Sequence, residues 1–268
     1  MMRRLSLSPS TLLPCSPLEH LDAALAAGFE STGLRVVPSL STDVDVMADR
    51  ALQDQISKRV AETGLEVFDI EVIRVSPGID LGSVEAVLEF AAGLGARWLA
   101  ATSLSLEDYR PEDEPVLVER LGEIGELTAK YDMGLMLEFM AFRGLRTLAD
   151  AARVIAASGS SNVSITLDAL HFFRSGGVID DLASLEPGSL ACIQLCDGPA
   201  DPPEDLVAEA RQDRLFPGEG QLPLDALLRA LPADLPASIE VPSLSRSTLP
   251  LVDRARLAAA SARQLLDG

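Results

Sequence analysis

The sequence predicts a single-domain (β/α)8 barrel over residues 1–268, on three observations. Eight short strand-like stretches recur, helical periodicity fills the intervals between them, and no linker or compositional break divides the chain. A length of 268 residues suits the roughly 250 that one such barrel needs. An open doubly wound sheet more often has about five or six strands and a glycine-rich turn after the first. Here Ser8-Pro9-Ser10-Thr11 follows the first strand and carries no glycine.

In chain order, strand one is read at 5–8, and apolar residues at three- and four-residue spacing give a helix at 17–27. Strand two at 33–37 leads to a helix at 49–63, strand three at 66–72 to a helix at 83–94, and strand four at 97–102 to a helix at 114–131. Strand five at 134–138 precedes a helix at 146–158, and strands six and seven fall at 163–168 and 190–195. A helix at 222–231, strand eight at 237–241 and a last helix at about 249–266 complete the pattern. Gly28, Gly64, Gly95 and Gly134 stand where helices should stop, consistent with left-handed caps before the next strand.

Composition narrows the function. The chain is 47% hydrophobic, 24% charged and only 4% aromatic, which suits strands buried beneath helices. Asp and Glu total 41 against 22 Lys and Arg, so the net charge of −19 repels polyanions and disfavours nucleic acid and anionic membranes. No apolar run reaches the roughly 18 residues of a membrane span, and Pro9 and Pro14 interrupt any signal-like start. Three cysteines, Cys15, Cys192 and Cys196, form an odd set in a chain too long to need disulfide staples. They read as reduced thiols in a cytoplasmic protein, and the Cys192/Cys196 pair as small buried hydrophobes.

In a barrel of this type the chemistry gathers at the carboxyl ends of the strands. Strand five ends Leu137-Glu138, strand six Leu167-Asp168, strand seven Gln194-Leu195-Cys196-Asp197, and strand eight Ile239-Glu240-Val241. A single carboxylate there is commonly a salt bridge or a helix cap. Several together, closing apolar strands, need partners or a metal ion. Glu138, Asp168, Gln194 and Glu240 supply three carboxylates and an amide oxygen, a hard donor set for one divalent cation.

These motifs, together with Leu167-Asp168-Ala169-Leu170-His171 and Arg214-Leu215-Phe216-Pro217-Gly218-Glu219-Gly220, resemble the xylose-isomerase-like TIM barrel superfamily. That sugar-phosphate isomerase/epimerase group also contains ketose 3-epimerases, inosose dehydratases and apurinic-site endonucleases. The resemblance covers nearly the whole chain. It implies that Glu138, Asp168, the strand-seven residue and Glu240 hold one divalent metal, that Glu138 and Glu240 double as catalytic acid and base, and that His171 and Arg214 contact substrate. Two positions depart from the pattern. Gln194 stands where the family often has His, which shifts the expected metal from Zn²⁺ toward Mn²⁺ or Mg²⁺. Arg35 ends strand two where a Glu is frequent, and a guanidinium facing the pocket would bind an acidic substrate. A one-residue slip would turn Arg35 to the surface instead; Arg74 carries the same ambiguity, and Glu71 could neutralise either.

Only two histidines exist. His20, inside the first helix, reads as a solvated or capping residue. His171 follows Asp168 by three, so one helical turn returns its imidazole toward that carboxylate. No serine or thiol stands beside it as a nucleophile, which argues against a triad hydrolase. The trinuclear zinc endonuclease of the superfamily needs histidines that are absent. Glu219 is expected to brace its loop, and Phe139, Phe142, Phe172 and Phe173 to wall the pocket.

Two glutamates flanking a polarised carbonyl can remove a proton and return it elsewhere, the chemistry of an isomerase or epimerase acting on a sugar or polyhydroxy-carbonyl compound. Loss of a β-hydroxyl instead would make a dehydratase of the inosose or 3-dehydroshikimate kind. A non-catalytic binding barrel is the remaining alternative. The partner expected is a small-molecule substrate, and apolar residues at 249–266 leave room for a homodimer.

Overall fold

A computed structural model describes Arg3–Asp267. Eight parallel strands, β1 (Leu5–Leu7), β2 (Ser31–Arg35), β3 (Glu66–Arg74), β4 (Trp98–Thr102), β5 (Gly134–Glu138), β6 (Val163–Asp168), β7 (Leu190–Leu195) and β8 (Ala237–Ile239), pair in sequence order, and β8 closes on β1. The single-domain TIM barrel read from the sequence is thus the fold. Nine helices lie between and after the strands among the described residues: α1 (Pro17–Ala26), α2 (Arg50–Thr63), α3 (Leu81–Gly93), α4 (Glu114–Ala129), α5 (Leu148–Ser158), α6 (Ala169–Arg174), α7 (Leu206–Gln212), α8 (Leu224–Ala230) and α9 (Leu251–Asp267).

Local chemistry sets the helix boundaries. Ser16 and Glu19 form a reciprocal capping box ahead of Pro17, and Thr147 and Asp150 do the same for α5. α2 ends on Gly64 at φ 67°, in the left-handed region that a residue with a Cβ avoids. Gly134 does not serve as such a cap: it opens β5, where the Trp98 ring leaves no room for a side chain, and Asp132 takes the positive φ of 56°.

Side chains alternate along each strand with period two, and this alternation builds both the core and the site. On β5, Leu135 and Leu137 join the main core under the helices, whereas Met136 and Glu138 face the barrel interior. On β6, Ile165 and Leu167 pack outward while Thr166 turns in; on β7, Ile193 and Leu195 pack outward while Cys192 and Gln194 turn in. A separate inner cluster of Phe68, Met136, Ala191 and Cys192, backed by Trp98 and Ala100, fills the barrel beneath its mouth.

Where the architecture departs from expectation, the elements are short. The helices α6 and α7 span only six and seven residues, too few to display a periodic apolar stripe. β8 stops at Ile239, so Glu240 lies just past the strand. Much of the apolar face of α9 is used within the chain, with Ala255, Ala258, Ala259 and Ala262 buried and the helix packed on α1. No helix among the described residues is long and apolar enough to cross a membrane.

Candidate active site and metal centre

A cavity of about 310 Å³ opens at the carboxyl ends of the strands, near the lower end of the range for small-molecule sites. Glu71, Glu138, Gln194 and Glu240 line it, as do Arg35, His171 and Arg214, so it gathers most of the residues singled out from the sequence. Asp168 stands behind them, fully buried.

The cluster is built from β5, β6 and the turn after β6. Asp168 ends β6 and caps α6, and its Oδ1 accepts the backbone N–H of His171 at 2.9 Å. That turn swings the imidazole back, leaving Nε2 at 3.8 Å from Glu138 Oε1. Glu138, Asp168 and His171 each offer a ligand atom, all within 4.8 Å of one another. Arg214 joins the group to β8: its Nη1 donates to Asp168 Oδ2 at 2.6 Å and lies 3.6 Å from Glu240 Oε2.

Several buried oxygens here lack hydrogen-bond partners among the described residues: Glu138 Oε1, Gln194 Oε1 and Glu240 Oε2. Orphaned acceptors in a dry site cost free energy unless something binds them. They belong to three of the four residues expected to hold a cation, and carboxylate and amide oxygens are the donors that a hard divalent ion prefers. The donor set therefore fits such an ion. Arg214 competes in part, since its guanidinium already sits between Asp168 and Glu240. His171 joins the close cluster, whereas Gln194 and Glu240 approach the same cavity from β7 and β8.

The electrostatics follow from burial. It pushes the Glu138 carboxyl well above the usual range, helped by the Glu240 and Asp168 charges. Glu240 is likewise raised by burial, to about 7, with Arg214 pulling the other way. For Asp168 burial acts upward too, but the Arg214 guanidinium and His171 outweigh it and hold this carboxyl low. Burial lowers His171 to about 4 despite the attraction of Asp168, so the ring is neutral near pH 7. Phe142 packs edge-on against it, with ring centroids 5.3 Å apart.

Arg35 does face the cavity, but its charge is already matched: Nη2 meets Glu71 Oε2 at 2.7 Å and Nη1 meets Asp43 Oδ2 at 3.4 Å. Arg74 is exposed and lies outside this cavity. Sequence reasoning missed Asp69, buried two residues before Glu71 on β3, where burial and the Glu71 charge push its carboxyl well up. Period two could have found it, since Asp69 and Glu71 share one face of their strand.

Two further expectations, on His20 and on the phenylalanines, are corrected. His20 is buried, not solvated: its Nε2 lies 2.7 Å from Thr32 Oγ1, and burial takes its pKa down to about 4. The signal was present, because Pro17, His20, Leu21 and Ala24 form one buried stripe of α1. Of the four phenylalanines only Phe142 lines the cavity, whereas Phe139 and Phe172 are fully buried in the outer core. Glu219 braces its loop, accepting from Phe216 N and Arg246 Nη2. Cys192 and Cys196 are buried thiols, the first pushed well up by burial and the second to about 12.

Residues 21–266 match the xylose isomerase-like TIM barrel family. The chain belongs to that family. Within it, the chain is similar to inosose isomerase of Bacillus velezensis, 27% identical over 155 residues that cover 56% of this chain and 54% of that enzyme. The chain thus spans about half the length of the curated relatives it matches. Among solved structures, the IOLI protein with a bound zinc atom superposes at a TM-score of 0.86, with 20% identity and 98% coverage of each chain. D-psicose 3-epimerase, solved in the presence of D-fructose, superposes at 0.73, with 16% identity, 99% of this chain and 100% of that one. Such distant likenesses show the shared xylose isomerase-like fold.

Proposed function

We propose that this chain is a divalent-metal-dependent isomerase or epimerase of a sugar or related polyhydroxy-carbonyl compound. One observation carries the reading: Glu138, ending β5, and Glu240, just past β8, each present to a single sugar-sized cavity a buried oxygen that accepts no hydrogen bond. The similarity to inosose isomerase agrees with it. Glu138, Asp168, Gln194 and Glu240 would hold the ion, with His171 beside them, and Mn²⁺ or Mg²⁺ suits these oxygen donors. When bound, the ion would polarise a substrate carbonyl or hydroxyl and acidify the neighbouring C–H.

The chain's own groups do the rest. Glu240 lines the cavity with an oxygen free of hydrogen bonds, placed to accept and release a proton. Glu138 approaches the substrate from another strand and can return the proton to the opposite face or to the adjacent carbon of an enediolate. Neutral His171 offers a ring nitrogen to a substrate hydroxyl, and Arg214 fixes Asp168 while directing charge at the reacting oxygen. Phe142, packed edge-on against His171, shields the ring from water. Three unpaired cysteines suit a reducing cytoplasm.

The test is solvent-deuterium exchange into a panel of ketoses and inososes with Mn²⁺-loaded protein. Carbon-bound deuterium together with an isomerised or epimerised product supports the proposal. An enone absorbing in the ultraviolet would instead assign a dehydratase, since dehydration starts with the same proton abstraction. No exchange into any member of the panel counts against both.

A further inference from the structure

Four arginines line the cavity, and they fall into two kinds. Arg35 is matched by Glu71 and Asp43, and Arg214 by Asp168 and Glu240. Arg143, in the loop after β5, and Arg211, in the last turn of α7, form no ion pair among the described residues, although both face the same space. Arg143 is the less ordinary of the two. It is only 8% exposed, its Nε has no hydrogen-bond partner, and its one side-chain bond is a long 3.5 Å contact from Nη1 to Ser103 O. Its position is held by the backbone: Arg143 N donates to Met140 O at 2.8 Å, and Leu145 N is caught by Ser103 Oγ at 3.0 Å.

A guanidinium removed from water and left without a counter-charge is unfavourable unless the site awaits an anion. The carboxylates acting on Arg143 from a distance are Glu138 and Asp108, while Arg74 and Arg211 add like charge to its surroundings. Its charge also reaches His171, which lines the same cavity and is the group proposed to touch substrate. Its planar fork of donors matches a carboxylate or phosphate in a way that neutral hydroxyls do not exploit.

We infer that Arg143 and Arg211 form an anion subsite of this cavity that takes a carboxylate or phosphate group borne by the sugar-like ligand. The subsite rests on the proposed function only for the identity of the rest of the ligand. It places the acidic-substrate preference, which the sequence pointed to at Arg35, on two other arginines. The net charge of −19 repels anions at long range, so selection for such a ligand has to be made locally, and these two side chains are placed to make it.

Calorimetric titration of the Mn²⁺-loaded protein with D-fructose, D-fructose 6-phosphate, D-fructuronate and inorganic phosphate tests this without any turnover. At least one anionic sugar should bind about tenfold or more tighter than D-fructose, and which one it is assigns phosphate or carboxylate. R143Q should bring the anionic sugar to near parity with D-fructose while leaving D-fructose affinity unchanged. R211Q, at an exposed position, gives the same readout should R143Q fold poorly. Equal binding of neutral and anionic sugars by the wild type, or an unchanged preference in R143Q and R211Q, overturns the subsite. Preferential binding without deuterium exchange would sink only the proposed reaction; exchange on neutral sugars without preference would sink only the subsite.

Discussion

Asp197 and Glu240 stand near the carboxyl ends of adjacent strands, β7 and β8, and both are buried, yet their surroundings are opposite. Both oxygens of Asp197 are saturated: Oδ1 accepts from Gly198 N at 2.8 Å and Leu222 N at 3.0 Å, and Oδ2 from Gly218 N at 3.0 Å and Gly220 N at 2.9 Å. The loop 216–222 is wound around that carboxylate, which leaves it nothing to offer a ligand. Glu240 Oε2 has no hydrogen-bond partner and faces the cavity. The same chemical group, one strand apart, holds a loop in one place and is left without a hydrogen bond, facing a cavity, in the other. Position at a strand end does not separate the two roles; hydrogen-bond accounting does.

Substitutions at the two positions should therefore fail differently. Glu240→Gln should lower turnover at saturating Mn²⁺ by about 10²–10⁴-fold, the usual contribution of a general acid–base, while thermal stability holds or rises because a buried charge is removed. Unchanged kcat would mean that the base lies elsewhere. Asp197→Ala should instead destabilise by about 4 kcal/mol, as four charge-assisted bonds are lost and the loop recovers part of them from water. Denaturant titration checks this, and a stability near wild type would break the contrast.

His20 sharpens the comparison at a third position, a buried group that does not line the cavity. Its folded pKa of about 4 lies below its ordinary 6.5, so the unfolded chain binds the extra proton first as pH falls. Stability from keeping this ring neutral is complete above about pH 6.5 and drains away toward pH 4, on the order of 3 kcal/mol in all. H20Q should flatten that part of the stability–pH curve relative to wild type. Parallel curves for the two proteins between pH 6.5 and 4 would show that the ring is solvated after all.

Legibility in the sequence follows the length and regularity of each element. β5, β6 and β7 were read with the boundaries they have, because each is a largely apolar stretch bounded by polar or turn residues, and Glu138, Asp168 and Gln194 came with them. α6 and α7 were not, being too short to show a stripe, and Arg211 on α7 and Arg143 in an irregular loop went unread with them. Phe139 and Phe172 were assigned to the pocket because they follow site residues directly. Along a strand that adjacency turns a side chain away: with Glu138 facing in, Phe139 must face out. The pairing of Arg35 with Glu71 and Asp43 depends on a cross-strand neighbour and a distant loop, so only Glu71 could be suspected beforehand.

The account turns on one cation held by oxygens from separate strands, and titrating Mn²⁺ into chelator-treated protein by calorimetry reaches that claim most directly. One ion per chain is predicted for the wild type, with binding lost in the E138Q/E240Q double variant while that variant remains folded. Absence of binding by the wild type, or equal affinity in the double variant, would contradict it.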